Sequence, residues 1–235
     1  MLKRVLAFAC LLMSLASGAT AEAGRASREV TVEIVDEHGA VFQQVPTRPA
    51  GKAYRAYLQA EQGARYRIRV ANRTGERLGI VVAVDGRNII SGARSDLGKG
   101  EPMYILAPWD TGEYSGWRTS LADVHEFYFT DWQESYAEAF GDRSARGVIA
   151  VAVYKEKDRQ WQDAAASVMP APAAPGSARD SAAKAERSEP GTGYGDRRDE
   201  PAVRVAFDAE SRASSRVFLK YEWREALCRK AVIDC

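Results

Sequence analysis

Residues 78–88 decide the fold, and they read Leu78-Gly79-Ile80-Val81-Val82-Ala83-Val84-Asp85-Gly86-Arg87-Asn88. The first seven carry no charge and are rich in Val and Ile, which is typical of a strand. Asp85-Gly86 follows directly, and this pair is a strong signal for the tight turn that joins two antiparallel strands. The segment from Asn88 to Ser91 returns from the turn. The sequence therefore predicts a β-hairpin here.

Short strands of the same kind flank this hairpin. Apolar residues alternate with polar ones from Val30 to Val35 and again from Arg65 to Val70, where three arginines form the second face. Further apolar runs bounded by Gly, Pro or Asp lie at 41–45, 103–106, 112–118, 124–129 and 147–154. Strands at this spacing, without long helices between them, predict a mainly β fold, an antiparallel β-sandwich core over residues 28–160.

One short amphipathic helix is predicted inside this core. Asp131 offers an N-cap and Gly141 a C-terminal stop. Trp132, Tyr136 and Phe140 recur at a spacing of four, so they lie on one face of a helix. We expect that face to lie across the sheet.

The composition changes after Trp161. Five of the nine prolines lie between Pro170 and Pro201, among Ala, Ser, Gly and charged residues. Such a segment buries too little apolar surface to offset its ordering entropy, so residues 161–201 are predicted to be a disordered linker. Two runs of period-two apolar residues follow, at 203–207 and 217–223. They predict a terminal strand pair within 202–235 that docks on the core.

The N-terminus predicts export. Lys3 and Arg4 precede an apolar run from Val5 to Ala16, and small residues ending at Ala21 follow. This order is typical of a signal peptide over residues 1–21, and the run is too short to cross a bilayer. No other long apolar run occurs, so no membrane span is expected after cleavage. The predicted location is periplasmic or extracellular.

The charge and cysteine counts narrow the range of possible partners and sites. The chain has 33 Lys and Arg against 32 Asp and Glu, and loss of the signal peptide leaves 31 against 32. Without a strong basic field, a nucleic-acid partner is not expected. Three Cys and two His are too few for a zinc cluster, so no metal and no cofactor are predicted. In an exported chain Cys228 and Cys235 are candidates for a disulfide, the alternative being two free thiols.

The sequence gives little support for any catalytic group. His125 has acidic neighbours, but adjacent strand residues point to opposite faces, so Glu126 is badly placed to orient it. The carboxylates considered for glycoside hydrolysis are Asp110, Glu113, Asp131, Glu134 and Glu138. That reaction depends on the distance between two carboxyl groups, which chain spacing does not reveal, and a solvated surface is the simpler interpretation.

Aromatic residues crowd the stretch between Tyr104 and Phe140. A packed core explains most of them, because aromatic burial dominates core energetics. Trp109, Tyr114 and Trp117 lie in segments rich in Gly and Asp, and Arg118 follows them. These four residues are the candidates for a surface that binds an envelope protein or a glycan.

A set of motifs resembles a family of exported bacterial β-rich proteins that has no assigned activity. They are Val84 to Gly92, Tyr104 to Pro108, Gly116-Trp117-Arg118, Phe127 to Phe129, Tyr136-Ala137, Gly141-Asp142, Gly147 to Tyr154, Gly191-Thr192-Gly193 and Tyr221. The resemblance covers roughly residues 60 to 235 apart from the linker. It implies a bacterial envelope setting and brings no catalytic residues with it.

These observations together favour a non-enzymatic β-sandwich module of the bacterial envelope that binds a partner or has a structural role. Two alternatives stay open: a carbohydrate-active enzyme with paired carboxylates, and a surface adhesin subunit. The oligomeric state is not predicted.

Overall fold

The computed structural model describes residues 29–47, 53–157 and 189–235. The predicted signal peptide at 1–21 and residues 161–188 of the predicted linker lie outside these ranges. Within them, no helix is long and apolar enough to cross a bilayer.

Short strands account for most of the regular structure. The first seven are β1 (Val30–Asp36), β2 (Gln44–Pro46), β3 (Ala53–Ala60), β4 (Arg65–Asn72), β5 (Leu78–Val84), β6 (Arg87–Asn88) and β7 (Tyr104–Leu106). The next seven are β8 (Thr111–Tyr114), β9 (Gly116–Arg118), β10 (Asp123–Asp131), β11 (Val148–Lys155), β12 (Pro190–Thr192), β13 (Arg197–Asp199) and β14 (Ser215–Trp223). There are also two short α-helices, α1 (Tyr136–Ala139) and α2 (Arg224–Arg229).

The first sheet has the order β1-β4-β10-β12, with β8, β9 and β13 paired alongside. One edge of β4 pairs along its whole length with β1, from Asn72 opposite Val30 to Tyr66 opposite Asp36. β4 also pairs with β8 and β10, and β10 pairs with β9. The β8–β9 segment thus lies as a wedge between β4 and β10.

The second sheet has the order β2-β3-β14-β11-β5-β6, with β7 on β5. The predicted hairpin is confirmed as β5 and β6. Asp85 and Gly86 form its turn with φ angles of 50° and 83°, the positive pair that a type I′ turn requires.

The two sheets enclose one apolar core. The inner faces contribute fully buried side chains from both sheets, among them Val32, Ile34, Ile68, Phe127 and Phe129 from the first and Ile80, Val82, Val151, Val217 and Leu219 from the second. Burying each such side chain stabilises the fold by about 1.5–3 kcal/mol. The prediction of a mainly β protein with a sandwich architecture is confirmed.

The C-terminal part of the chain departs from its predicted role. β14 lies between β3 and β11, parallel to β3 from Arg216 opposite Ala53 to Trp223 opposite Ala60. It is a central strand of the second sheet, whereas the sequence predicted a terminal pair docking on a finished core. Buried residues alternate along it from Ser215 to Tyr221, so one face of this central strand packs on the core.

The other half of the predicted terminal pair, residues 203–207, is not a strand. Val203 and Val205 are exposed, whereas Phe207 lies over the outer face of the second sheet beside Met103 and Gly79. Phe207 contributes to a second apolar cluster there, with members such as Val81, Ala152 and Tyr154. The alternation at 203–207 therefore reflects a single anchored side chain rather than a strand.

The predicted helix is interrupted. Trp132–Glu134 forms a 3-10 turn, and Ser135 follows in an extended conformation with φ −75° and ψ 152°. The Ser135 hydroxyl accepts a hydrogen bond from the Glu138 amide at 3.2 Å and so caps α1. Trp132 is 4% exposed and Phe140 is 58% exposed, so these rings do not share one buried face.

The predicted linker is wrong at its C-terminal end. β12 pairs with Phe129 to Asp131, and β13 pairs with Asp123 to His125, so both strands extend the first sheet. A Cβ atom at Gly191 would collide with Ser135, and one at Gly193 with the Tyr128 ring. These glycines therefore allow close packing, although in the sequence they resemble a flexible segment.

The chain ends in a disulfide-closed loop. Cys228 in α2 and Cys235 are bonded, with their Cα atoms 5.8 Å apart. Between them the chain reverses at Ala231, whose φ is 53°, and the Val232 amide donates to the Leu227 carbonyl at 3.0 Å. The last residues are thereby folded back against α2.

Candidate functional site

A concave surface lies where the chain crosses from the first sheet to the second. β1 ends at Asp36, whose carboxylate accepts hydrogen bonds from the amides of His38 at 2.9 Å and Ala40 at 2.8 Å. After this turn the Phe42 amide donates to the Ile34 carbonyl at 2.9 Å, and the chain enters β2 at Gln44. This crossover forms one wall of a cleft of about 440 Å³.

The opposite wall comes from distant parts of the sequence. Tyr57 and Gln59 lie on β3, whose alternate residues Ala56, Leu58 and Ala60 are buried. Leu227 of α2 and Ile233 of the disulfide loop complete the lining. The cleft therefore has apolar side chains from both ends of the described chain.

A second depression of about 500 Å³ adjoins the first. The two share Glu37, Ala64 and Arg65, and the second extends past Tyr128 and Tyr194 to Asp196. We call the two together the Arg65 cleft. Volumes of this size are in the range of ligand sites in proteins.

Acidic groups dominate the charges that line the Arg65 cleft. The carboxylates are Asp36, Glu37, Glu61 and Asp196. The one guanidinium, that of Arg65, makes ion pairs with Asp196 at 2.5 Å and with Glu126, outside the lining, at 3.2 Å. Four carboxylates against one guanidinium give the lining a net negative charge.

Trp109 is the exposed member of the four predicted binding residues. Its side chain is 70% exposed, and its φ is 63°. Pro108 precedes it and the Asp110 amide donates to the Ala107 carbonyl at 3.2 Å, as in a type II turn. That turn prefers Gly at the position that Trp109 occupies, so a bulky residue there is strained.

Trp109 and the Arg65 cleft lie at opposite ends of the first sheet. The Asn72 amide, at the end of β4, donates to the carbonyl of Asp110 at 2.8 Å, whereas Arg65 begins β4. A strand rises about 3.3 Å per residue, so the two sites are separated by roughly 23 Å. One small ligand cannot contact both.

Tyr114 and Trp117 are buried, which corrects the prediction that they form part of a ligand-binding surface. Trp117 is 2% exposed, packs edge-on against Phe127 and donates from its Nε1 to the Gly193 carbonyl at 2.9 Å. Tyr114 is 5% exposed and stacks on Tyr104 with the ring centroids 4.1 Å apart. Both side chains belong to the core, because the β8–β9 segment is a strand wedge rather than a loop.

Arg118 also has a structural position. It forms an ion pair with Glu200 at 2.8 Å and donates from Nε to the Tyr104 hydroxyl at 2.8 Å. Glu200 also accepts from the Ser115 amide at 3.0 Å. Arg118 and Glu200 thus fasten the segment after β13 to the kink between β8 and β9.

The candidate catalytic groups are engaged in structural contacts. Glu113 pairs with Arg67 and Arg69 at 3.4 Å and 2.7 Å. The hydrogen bond from Arg143 and a second from Trp132 lower the pKa of Glu138, although partial burial opposes them. A glycosidase acid requires a raised pKa, so Glu138 does not suit that role.

His125 stacks on Tyr194 with ring centroids 4.0 Å apart. Its Nδ1 lies 2.7 Å from the Gly195 carbonyl, which only accepts, so this nitrogen carries the proton. The histidine thus holds the bend between β12 and β13. Among the described residues, no group of three or more His, Cys, Asp or Glu is placed to hold a metal ion.

A buried hydrogen-bond chain joins the two sheets, and sequence reasoning missed it. The Asp85 carboxylate accepts from the Gly147 amide at 2.8 Å, the Thr192 amide at 2.8 Å and the Tyr221 hydroxyl at 2.6 Å. The Thr192 hydroxyl lies 2.8 Å from the Tyr221 hydroxyl and 2.8 Å from that of Tyr66. Because an ionised carboxylate only accepts, Tyr221 donates to Asp85, Thr192 to Tyr221 and Tyr66 to Thr192.

Burial raises the pKa of Asp85 to about 6, although its hydrogen bonds oppose the rise. A carboxylate with a raised pKa is a common feature of active sites. Asp85, however, lines neither part of the Arg65 cleft. Its partners make it a link between the sheets.

Sequence reasoning also missed the Arg65 cleft. Its crossover wall, with Glu37, and its disulfide-loop wall, with Ile233, carry no sequence motif that indicates a binding site. The available signals were the pair Cys228 and Cys235 and the acidic residue Glu37, but nothing in the sequence places these segments side by side.

No family model, no curated protein and no solved structure matches this chain.

Proposed function

We propose that the protein is an exported, non-enzymatic binding module of the bacterial envelope, and that the Arg65 cleft is its binding surface. The observation that carries this proposal is the cleft itself: two adjoining depressions, the first with apolar side chains in its walls, share an acidic rim and are formed by five separate parts of the chain. Trp109 offers a second contact surface at the opposite end of the sheet.

Export is supported by two separate features. The charged, apolar and small-residue order of residues 1–21 is that of a signal peptide. The Cys228–Cys235 disulfide suits an oxidising compartment. The resemblance to exported bacterial proteins agrees with both.

The carboxylates considered for glycoside hydrolysis supply no second candidate function. Glu113 is held between two arginines, Glu138 between Arg143 and Trp132, and Glu134 accepts from the Thr130 hydroxyl at 2.9 Å. These contacts stabilise the charged carboxylate or fix a local turn. An adhesin subunit is a special case of a binding module, and no contact among the described residues favours it.

Photo-crosslinking in the envelope tests the proposal. A benzophenone amino acid at Val41, which is 46% exposed in the cleft wall, should give a specific adduct with a partner in the envelope fraction. The matched control carries the same group at Val203, which is 85% exposed and outside the cleft. Equal adducts from both positions, or none from Val41, would contradict the proposal.

A further inference from the structure

We infer that the Arg65 cleft receives a cationic, partly apolar polypeptide segment of a partner protein, and that the Cys228–Cys235 disulfide holds one wall of the cleft in place. This inference rests on the proposed binding function and specifies the chemistry of the partner.

The acidic rim of the Arg65 cleft indicates the charge of the partner. Its carboxylates are those of Asp36, Glu37, Glu61 and Asp196. The side chains of Glu37 and Asp196 are 58% and 79% exposed, so both carboxylates face solvent. Arg65 already has two acidic partners, and a net negative surface remains. A segment with Lys or Arg side chains complements this surface, whereas an acidic segment is repelled.

Arg67, on β4, donates to the Asp36 carbonyl at 3.0 Å and pairs with Glu113 at 3.4 Å, so it has its own acidic partner. Two more cations contact lining residues of the first depression, from α2 and just after it. Lys230 lies over the Tyr57 ring, 5.7 Å from its centroid, and pairs with the buried carboxylate of Glu222. Arg224 donates to the Gln59 side chain at 3.3 Å. Lys230 is therefore neutralised by Glu222, and neither cation lines the cleft, so they do not reverse the sign of its rim.

The apolar walls of the first depression indicate that the partner segment also carries apolar side chains. Val41, Phe42, Val45, Leu227 and Ile233 line the first depression. Phe42 is half-buried and packs edge-on against Phe129, with the ring centroids 5.8 Å apart, so its position is fixed. An apolar side chain of a partner gains burial there without disturbing the wall.

The elongated shape favours a polypeptide over a compact ligand. The depressions meet at Glu37, Ala64 and Arg65, so a ligand that fills both extends past this junction.

The disulfide determines the position of Ile233. This residue lies two positions before Cys235, and its loop is tied to α2 by the bond to Cys228. Besides the disulfide, the fold-back is held by a few backbone contacts such as Val232 to Leu227. Reduction therefore frees Ile233 to leave the wall, and the affinity of the cleft becomes sensitive to redox conditions.

Peptide binding by the purified, oxidised mature chain tests the charge. The probes are fluorescent octapeptides with blocked ends, alternating Leu with Lys, Gln or Glu, and anisotropy gives the dissociation constants. Exposed charge pairs each change affinity by about two- to fivefold, so the Lys peptide should bind about tenfold more tightly than the Gln peptide. The Glu peptide should bind most weakly, and added salt should reduce the preference for Lys.

Matched variants assign the effect to the cleft. Glu37→Gln combined with Glu61→Gln should weaken binding of the Lys peptide about tenfold. Glu210→Gln, an exposed residue outside the cleft, should leave it unchanged. Equal affinities for the three peptides, or equal losses in the two variants, would overturn the charge inference.

Failure of the inference and failure of the proposed function are distinguishable. If no peptide binds but Val41 still gives a specific adduct, the cationic partner is wrong and the binding module stands. If neither experiment gives a signal, both are wrong.

The role of the disulfide has its own readout. Replacing both Cys228 and Cys235 by Ser should weaken binding of the Lys peptide about fivefold, because the Ile233 contact is lost. Circular dichroism should show an unchanged β signal, since β14 ends at Trp223, before the loop. Unchanged affinity in this folded variant would overturn the structural role of the disulfide.

Discussion

Asp85 serves two purposes at one position. Its φ of 50° helps to form the hairpin turn, and its side chain ends the hydrogen-bond chain between the sheets. A residue chosen for the turn alone is normally exposed, because turns lie at the surface. Asp85 is fully buried, so its protonation state is part of the stability of the fold.

Acidification should stabilise the protein through Asp85. Its pKa is about 6 in the folded chain, against 3.8 without burial, so the folded state binds the proton more tightly. The resulting stability is present at low pH and is lost as pH rises through 6. The stability of the wild type minus that of Asp85→Asn should therefore be larger at pH 4 than at pH 7.5, by about 2 kcal/mol of unfolding free energy.

Urea unfolding at several pH values measures this difference. Asn tolerates the positive φ, but its amide group leaves one backbone donor without an acceptor, so the variant should also be less stable by about 1–3 kcal/mol at low pH. Asp110→Asn, at an exposed turn, is the control and should retain the wild-type pH profile. Parallel profiles for wild type and Asp85→Asn would show that Asp85 does not titrate in this range.

Trp109 is strained, and the strain can be measured. Trp109→Gly should be more stable than Trp109→Ala by about 1 kcal/mol, because Gly adopts the φ of 63° without a steric penalty. Both variants lose the same exposed indole, so their difference isolates the backbone. Thermal unfolding compares them, and an Ala variant at least as stable as the Gly variant would contradict the strain.

At the scale of elements, β14 shows what a sequence pattern can predict and what it cannot. Its alternating residues predicted a strand, and the structure has one at Ser215–Trp223. Its partners were not predictable, because pairing with β3 joins segments that are far apart in the sequence, and nothing local specifies that contact. The same limit applies to β12 and β13, whose Gly, Pro and charged residues carry no strand pattern.

The central position of β14 makes a prediction for stability. Leu219→Ala removes a fully buried side chain from this strand and should cost about 2–5 kcal/mol in unfolding free energy. Leu121→Ala is the matched control, since Leu121 is 48% exposed, and should change the free energy by less than about 0.5 kcal/mol. Chemical denaturation distinguishes them. A small loss of unfolding free energy for Leu219→Ala, with unfolding confined to β14, would indicate that β14 is appended to the sheet and is not a central strand of it.

At the scale of the molecule, local structure was more predictable than the site. The hairpin at Asp85 and the strand patterns depend on neighbouring residues, so they were visible in the sequence. The Arg65 cleft depends on β1, β3, β10, the β12–β13 bend and the disulfide loop meeting in space. Trp117 shows the same limit, since its flanking Gly and Ser residues resemble a loop although strand pairing buries it.

The place of β14 also constrains the order in which the protein forms. β14 follows β3 and β11 in the chain, so each of these strands lacks one of its two neighbours until residues 215–223 have been synthesised. The second sheet therefore cannot close before β14 has left the ribosome. A nascent chain in this state keeps unpaired strand edges, which are prone to aggregate and are natural targets for chaperones.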